Sequence, residues 1–332
     1  MSEKPHWDGI PYYPISHFYK QRFGERVQKI PVSVADTCPN RMGLKGMQTC
    51  SFCDVWGSAA YPETRERSLH DQIEENRTKL GLKNKVQRFL VYFQAYTNTF
   101  TKLQKLRENF DVALSFPDVC GVVVGTRPDC LSKGVLDLWT EYHRKSFVAV
   151  ELGVQSFFDD QLQFLRRGHS AADSIEAIYK IRGQCEVDLG IHLMFGQPGE
   201  SDEQIVETAR LVSQLPIDNV KLHNLHVLKN TPLEHQYARG EFVPIDLETY
   251  AHRVRLFIQH LNPQIAVHRL AALSSRWDEL VAPEWTKQRM RTHQAIIDTI
   301  NAADAYQGQL WQPQTAAPIP QWPRPAADSI AT

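Results

Sequence analysis

Three of the six cysteines fall in one short stretch, CPNRMGLKGMQTCSFC, with the spacing Cys38-x11-Cys50-x2-Cys53. A free cysteine is usually buried as a small hydrophobe. These thiols sit instead among Pro, Asn, Gly, Lys and Gln, the composition of a loop. Six cysteines in 332 residues are too sparse for a disulfide framework, and a reducing compartment keeps them as thiols. Thiolates are metal ligands and nucleophiles, so the cluster needs a chemical reason.

A thioredoxin-like pair at Cys50 and Cys53 would open a helix, and the DVWGSAAYPE that follows lacks a helical pattern. A structural zinc site would want a fourth ligand at short spacing. The nearest downstream candidate, His70, follows Ser68 at an expected helix start, where it faces solvent. Three thiolates without a fourth ligand suit a [4Fe-4S] cluster that leaves one iron open to a small molecule, much as an open position marks a catalytic metal.

Elements must hold such a loop in place. Apolar runs at Ile30–Ala35, Val86–Phe93, Val119–Gly125, Phe147–Gly153, Val187–Phe195 and Val220–Val227 read as strands, with a weaker seventh at Ile265–Leu270. Between them Ser68–Lys79, Thr101–Ser115, Val135–Lys145, Ala171–Arg182 and Asp202–Leu215 read as helices, the last opened by a Ser201/Gln204 capping box. Helices at Leu247–Leu261 and Trp285–Ala302 follow. The alternation is that of βα units around a parallel sheet. It fits a full barrel, a partial barrel or an open doubly wound sheet, because strand order is not visible in a sequence. No Gly-x-Gly-x-x-Gly follows the first strand, which weighs against a dinucleotide-binding fold. In every parallel βα fold the cysteine loop lies at the carboxyl end of the first strand, where ligands bind.

With 42% apolar residues, 23% charged residues and a net charge of −1, the chain has the composition of a folded, water-soluble protein and no overall field to draw it onto a polyanion. The N-terminus carries charge and Pro where a signal peptide needs an apolar run, and no stretch reaches membrane-spanning length. The expectation is a cytoplasmic protein without membrane contact. The expected organisation is an N-terminal segment over 1–29, a barrel over 30–270, a helical extension over 271–304 and a Pro-rich flexible tail over 305–332.

The chain resembles the radical S-adenosylmethionine (radical SAM) enzymes, and within them the Elongator-like branch and the YhcC/YtqA-type proteins. The resemblance runs from about Pro31 to Ala302 through CPNRMGLKGMQTCSFC, YFQAYTNTF, GTRPDCL, ELGVQS, RRGH, GIHLMFGQPGE and KLHNLHVLKNT. An aromatic residue, Phe52, precedes the last cysteine as in the family's motif, although the first gap is longer than its commonest form. The resemblance implies an α/β fold, a partial (β/α)6 TIM-like barrel with a C-terminal helical extension. It implies that Cys38, Cys50 and Cys53 hold a [4Fe-4S] cluster that cleaves S-adenosylmethionine (SAM) to a 5′-deoxyadenosyl radical. An electron donor such as flavodoxin or ferredoxin is implied as a partner.

By the same resemblance Gln94 stands where other members carry Gly-Gly-Glu to meet the SAM amino group, offering a carbonyl acceptor in its place. Arg127 pairs with the SAM carboxylate or else with Asp129 or Glu151. Glu151 and Gln155, two positions either side of Gly153, point to one face of the fourth strand. Gly196 and Pro198 belong to the GQPGES turn, which lies beside the adenine in the family. Lys221 and His223 share one face of the sixth strand and Asn224 and His226 the other, one of the two facing substrate or SAM. His169 caps a helix or touches a ligand. Cys120, Cys130 and Cys185 are structural.

Elongator's catalytic subunit modifies the wobble uridine of tRNA with an added acetyl-CoA domain, for which this chain leaves no room after residue 302. A tRNA substrate would therefore undergo a different reaction, such as remodelling an existing wobble substituent. Basic patches at 79–88, 102–107 and 287–291 fit an RNA or a solvated surface. The alternatives are a radical SAM enzyme on a small molecule or porphyrin-like substrate, and a metal-binding protein without turnover.

Overall fold

The alternating apolar and amphipathic runs fold into a computed structural model that describes residues 7–57, 59, 62–84, 86–272 and 277–313. The chain opens with α1 (Ile15–Phe23) and β1 (Val27–Val32). Three αβ units follow: α2 (Leu69–Asn84), β2 (Arg88–Phe93), α3 (Leu103–Leu114), β3 (Val119–Thr126), α4 (Lys133–His143) and β4 (Phe147–Gln155), then α5 (Asp159–Phe164) and α6 (Ala171–Gln184). Next come β5 (Asp188–Phe195), α7 (Asp202–Val212), β6 (Asn219–Asn224), β7 (Val227–Leu228), α8 (Pro232–Ala238) and α9 (Leu247–His260). The described part ends with β8 (Ala266–Val267), β9 (Leu280–Ala282) and α10 (Arg289–Ala302).

Seven strands form one sheet in the order β1-β2-β3-β4-β5-β6-β8, each pair parallel. Strand order follows chain order without a reversal, so the topological switch of a doubly wound sheet is absent and the sheet is an α/β half-barrel. The strands are Val- and Ile-rich because helices cover the outside, and β4 is buried along its whole length. The seventh strand is real but only two residues long, paired to Asn219 and Val220. The sixth stops at Asn224, short of the expected Val227, because Val227 and Leu228 leave to pair antiparallel with β9. Ser170 with Asp173 and Ser201 with Gln204 form capping boxes that start α6 and α7.

Two expected boundaries move. The first strand begins at Val27, so a division at residue 30 cuts it, and the segment before it holds a helix that no sequence signal marked. That helix, α1, plugs the lower end of the barrel. Tyr19 and Phe23 pack edge-on to Phe147, beside Leu90, Val123 and Ala149. At the other end, residues 305–311 are still part of the folded body. Gln307 is buried, accepting from the Tyr13 amide at 2.8 Å and donating to the Asn262 and Ile265 carbonyls at 2.8 Å each. The rest of the expected tail, 314–332, lies outside the described residues. No helix among the described residues is long and apolar enough to cross a membrane.

One buried carboxyl below the site makes a pH prediction. Asp188 at the start of β5 accepts from Asn219 Nδ2 at 3.0 and 3.2 Å, and burial, followed by the nearby Asp218, raises its pKa to about 7. Its unfolded value is about 4. The folded state therefore holds the proton more tightly, and the stability this contributes is complete below about pH 4 and lost as pH rises to about 7. Asp188→Asn is expected to remove that loss, a gain of up to about 4 kcal/mol above pH 7. Melting temperatures of both proteins at pH 5 and pH 8 check it; a difference that does not widen with pH contradicts the assignment.

Candidate cluster and cofactor site

Past β1 the chain crosses the carboxyl ends of the strands as the cysteine loop, and its shape is set by backbone bonds and one asparagine. The Met42 amide donates to the Cys38 carbonyl at 3.1 Å, and the Cys53 amide donates to the Cys50 carbonyl at 3.1 Å. Asn40 Nδ2 donates to the Gln48 and Arg166 carbonyls at 2.6 and 2.7 Å, while its Oδ1 accepts from Arg127. Ser51 is gripped from both sides, its amide by the Leu165 carbonyl at 3.0 Å and its carbonyl by the Leu233 amide at 2.8 Å. Beyond Cys53 the chain is held by Tyr96, whose ring lies against Gly57; a Cβ on Gly57 would stand 2.5 Å from it.

So held, Cys38, Cys50 and Cys53 line one pocket together with Gln94, Arg127 and Gln155. Arg167 Nη1 stands 3.4 Å from Cys50 Sγ and Arg41 Nη2 stands 3.7 Å from Cys53 Sγ. Burial, then the neighbouring Cys50 sulfur, push the Cys53 thiol up to about 12. A thiol so placed ionises only with a strong positive partner, which a metal centre supplies. No group of three or more His, Cys, Asp and Glu side chains among the described residues converges on a single metal ion. A cluster offers a separate iron to each sulfur, so its ligands stand further apart than those of one ion. The donor set fits a [4Fe-4S] cluster on both counts: three sulfurs around one pocket, and two guanidiniums beside them to offset its charge.

Gln155 ends β4 with φ 71, next to a register shift against β5. Left-handed backbone at a non-glycine residue is strained and is kept where surrounding contacts demand it. It turns the buried Gln155 side chain into the pocket, on the same side as Glu151. Opposite Gly153, the Arg167 guanidinium donates to the Gly153 carbonyl at 2.8 Å, and a Cβ there would lie 3.0 Å from Gln155 Nε2.

Arg127 reaches the pocket wall with its guanidinium already engaged. It forks onto Asp129 at 2.8 and 2.7 Å, holds Asn40, and donates to the Arg167 carbonyl at 2.7 Å. The Asp129 pair, one of the two readings the sequence left open, is what forms. Its effect is to tie the cysteine loop to β3 and to the RRGH turn.

Glu151 forms the floor. Its side chain is 2% exposed and meets Lys29, His192 Nε2 at 2.6 Å and Lys221 Nζ at 2.8 Å. Burial alone would raise its pKa, but Lys221, Lys29 and His192 overcome this and hold it well below the usual carboxylate range. Burial pulls Lys221 down to about 8 and His192 to about 4. Lys221 and His223 thus face the barrel interior beneath the pocket, on the Glu151 side.

Gly196 and Pro198 are not among the described residues lining the pocket. Gly196, φ 94, gives its amide to Glu200 Oε2 at 2.7 Å, and Pro198 is exposed. Close to that turn, at the paired ends of β5 and β6, the buried Asn224 amide and Gln197 Oε1 have no hydrogen-bond partner. Buried polar groups are nearly always paired, so these stand out as unused donors and acceptors near the turn. His169 Nε2 is also buried without a partner. Its Nδ1 faces the Ser170 carbonyl at 3.3 Å, just ahead of the α6 cap.

Sequence reasoning missed Arg41, Arg167, Lys29 and His192. Arg167 had a signal in the RRGH stretch, where two adjacent arginines precede a glycine of φ 70 that folds the turn back on the cysteines. Lys29 and His192 were hidden because each sits in a strand beside buried apolar residues, Ile30 for the one and Ile191 and Leu193 for the other.

The sequence pattern of the Radical SAM superfamily matches residues 32–212, and that of the Radical_SAM C-terminal domain matches residues 217–302. Protein YhcC of Escherichia coli (strain K12) is 35% identical over 270 residues, 81% of this chain and 85% of that one. The tRNA uridine(34) acetyltransferase of Dehalococcoides mccartyi (strain CBDB1) is 32% identical over 127 residues, 37% of this chain and 27% of that protein. The structure of the archaeal Methanocaldococcus infernus Elp3 with an N-terminal deletion superposes with a TM-score of 0.60 at 19% identity, covering 85% of this chain and 64% of that one, and so shares the fold. With its parallel half-barrel and a cysteine triad at the mouth, this chain belongs to the radical SAM superfamily, whose enzymes work with a [4Fe-4S] cluster and S-adenosylmethionine.

Proposed function

We propose that Cys38, Cys50 and Cys53 hold the [4Fe-4S] cluster and that SAM binds beside it over Gln94 and Gln155, for radical chemistry on the wobble uridine of tRNA. The observation that carries the cluster reading is the convergence of three cysteines on one pocket without a fourth. When bound, the cluster supplies the electron that splits SAM and yields the 5′-deoxyadenosyl radical. The chain's own part is to bind, orient and shield. Gln94 and Gln155 offer amide donors and acceptors to the methionine end of SAM, and the unpaired Asn224 and Gln197 groups offer the same to its nucleoside. Arg127 positions the loop through Asp129 and Asn40. Glu151, Lys29 and Lys221 form an ion-paired layer that fills the barrel below the pocket.

Cys53 also lines a second, outward pocket with Arg41, Arg166, His235 and Arg239. That basic rim beside a ligand cysteine suits an acidic electron carrier such as flavodoxin or ferredoxin. The tRNA reading is supported by the partial match to the uridine(34) acetyltransferase, of which this chain spans about a quarter. Mass spectrometry of tRNA nucleosides from cells with and without the protein tests it. A wobble nucleoside that changes supports the reading, and an unchanged profile moves the substrate to a small molecule.

A narrower expectation concerns SAM alone. Gln155→Ala removes one buried amide, so SAM should bind about tenfold more weakly while iron and sulfide content stay the same. Equilibrium binding of SAM to anaerobic protein decides this, and an unchanged affinity takes Gln155 out of the site.

A further inference from the structure

A second cavity, of about 660 Å3, opens at the β8 edge of the half-barrel, between the residues that follow β8 and the first turn of α10. His268 and Arg269 form one wall, Lys287, Arg289 and His293 the other, and no Asp or Glu is among the described lining residues. The first turn of α10 has no acidic side chain and no side-chain cap, and it carries Arg289 and Arg291. Cations at a helix N-terminus face the positive end of its dipole, the reverse of the usual preference. An anion in the cavity would relieve both.

Arg269 links this cavity to the cofactor pocket. Its Nη2 stands 2.9 and 3.0 Å from the two nitrogens of His223, and the His223 ring lies 5.0 Å from that of His192, which lines the cysteine pocket. Arg269 Nε is buried without a partner, and among the described residues no carboxylate pairs with the guanidinium. The interior carboxylate, Glu151, is already shared by Lys29, Lys221 and His192. Asp188, the buried carboxyl at the start of the neighbouring strand, is held toward its neutral form by burial and bonds to Asn219. The interior therefore has three fixed cations, Lys29, Lys221 and Arg269, around one firmly ionised carboxylate. Excess buried charge is costly unless a counter-ion enters.

We propose that this cavity binds the phosphate group of a nucleotide-sized substrate, with Arg269 as the buried anchor and Lys287 and Arg289 at the rim. Phosphate fits better than carboxylate because a phosphate monoester carries nearly two charges and guanidiniums fork onto it. The volume suits a ligand of that size. Tyr12 and Trp277 line the cavity, and Trp277 is 63% exposed, a flat face on which a base can stack. Lys287 keeps a loose pair with Glu284 at 3.4 Å, but that carboxylate is 81% exposed and is not among the described lining residues. The proposal rests on the radical SAM reading only in naming this ligand the substrate.

The test is calorimetry on the anaerobically prepared full-length protein with uridine 5′-monophosphate, uridine and inorganic phosphate; uridine avoids competition with the adenine of SAM. The monophosphate is expected to bind at least about tenfold more tightly than uridine or inorganic phosphate alone. Arg269→Gln should weaken it about tenfold or more, and Arg289→Gln, at an exposed position that does not threaten folding, by several-fold. Iron content and SAM affinity should be unchanged in Arg289→Gln. No binding of the monophosphate, equal binding of uridine, or no loss in either variant overturns the proposal. Inorganic phosphate binding as tightly as the monophosphate overturns the nucleotide part. Failure of the wild-type protein to bind iron or SAM would instead sink the radical SAM reading, and the phosphate titration would still decide what the cavity takes.

Discussion

Replacing Cys38, Cys50 or Cys53 singly by alanine is expected to strip iron and sulfide from the protein and to abolish SAM cleavage. Each cysteine would hold a different iron, so the loss of one sulfur leaves an edge that no nearby side chain replaces. Cys120, Cys130 and Cys185 lie outside the pocket. Cys130 accompanies the Arg127–Asp129 pair, and Cys185 packs against Thr140 and the Leu136 carbonyl. Alanine at Cys120 or Cys185 should therefore leave iron content intact. Iron and acid-labile sulfide assays, with the rate of 5′-deoxyadenosine release under a strong reductant, check both halves. Full cluster content in any of the three single variants contradicts the ligand assignment, as would zinc in place of iron and sulfide.

The second large effect is at Glu151. Glu151→Gln leaves Lys29 and Lys221, with side chains 18% and 12% exposed, facing each other without a carboxylate. Breaking a buried ion pair from one side costs about 3–5 kcal/mol, because the remaining charges keep their desolvation penalty. The loss has a pH signature. Lys221 is already held near 8 by burial, with Glu151 opposing; without Glu151 its folded pKa falls further below the unfolded value. The unfolded chain then binds more protons, so the variant should regain stability as pH rises from about 7 towards about 10. Adding Lys221→Met to Glu151→Gln should recover part of the loss at pH 7. Denaturant midpoints of the wild type, Glu151→Gln, Lys221→Met and the double variant measure it, and an additive double variant would show that the two groups are not coupled.

Several features of the site were legible locally. The cysteine spacing points to its chemistry because three thiols in a polar loop have few other uses, and the capping box at Ser201 is formed by residues three apart. Gln155 and Glu151 were legible as polar residues in a strand that is otherwise apolar. Arg127 was readable only as an alternative. Its pair with Asp129 is two residues away, but its bonds to Asn40 and the Arg167 carbonyl bring in residues 87 and 40 positions away. The GQPGES turn looks like a ligand cradle in sequence, yet Gly196 gives its amide to Glu200, which Arg253 of α9 also holds at 2.7 Å.

By itself the sequence determined the alternation of the βα units and the three sulfurs at the end of the first strand, which follow from periodicities and spacings that a few neighbouring residues carry. Its motifs carried the resemblance to the radical SAM enzymes. Only the tertiary structure decided that α1 closes the barrel from below, that Lys29, Glu151, His192 and Lys221 form one charged layer, and that Arg269 has no carboxylate partner among the described residues. Each of those depends on side chains from different strands meeting across the barrel. The physical reason is that the balance of a buried charge is set by which groups surround it in space, and those groups lie from 29 to 122 residues or more apart along the chain.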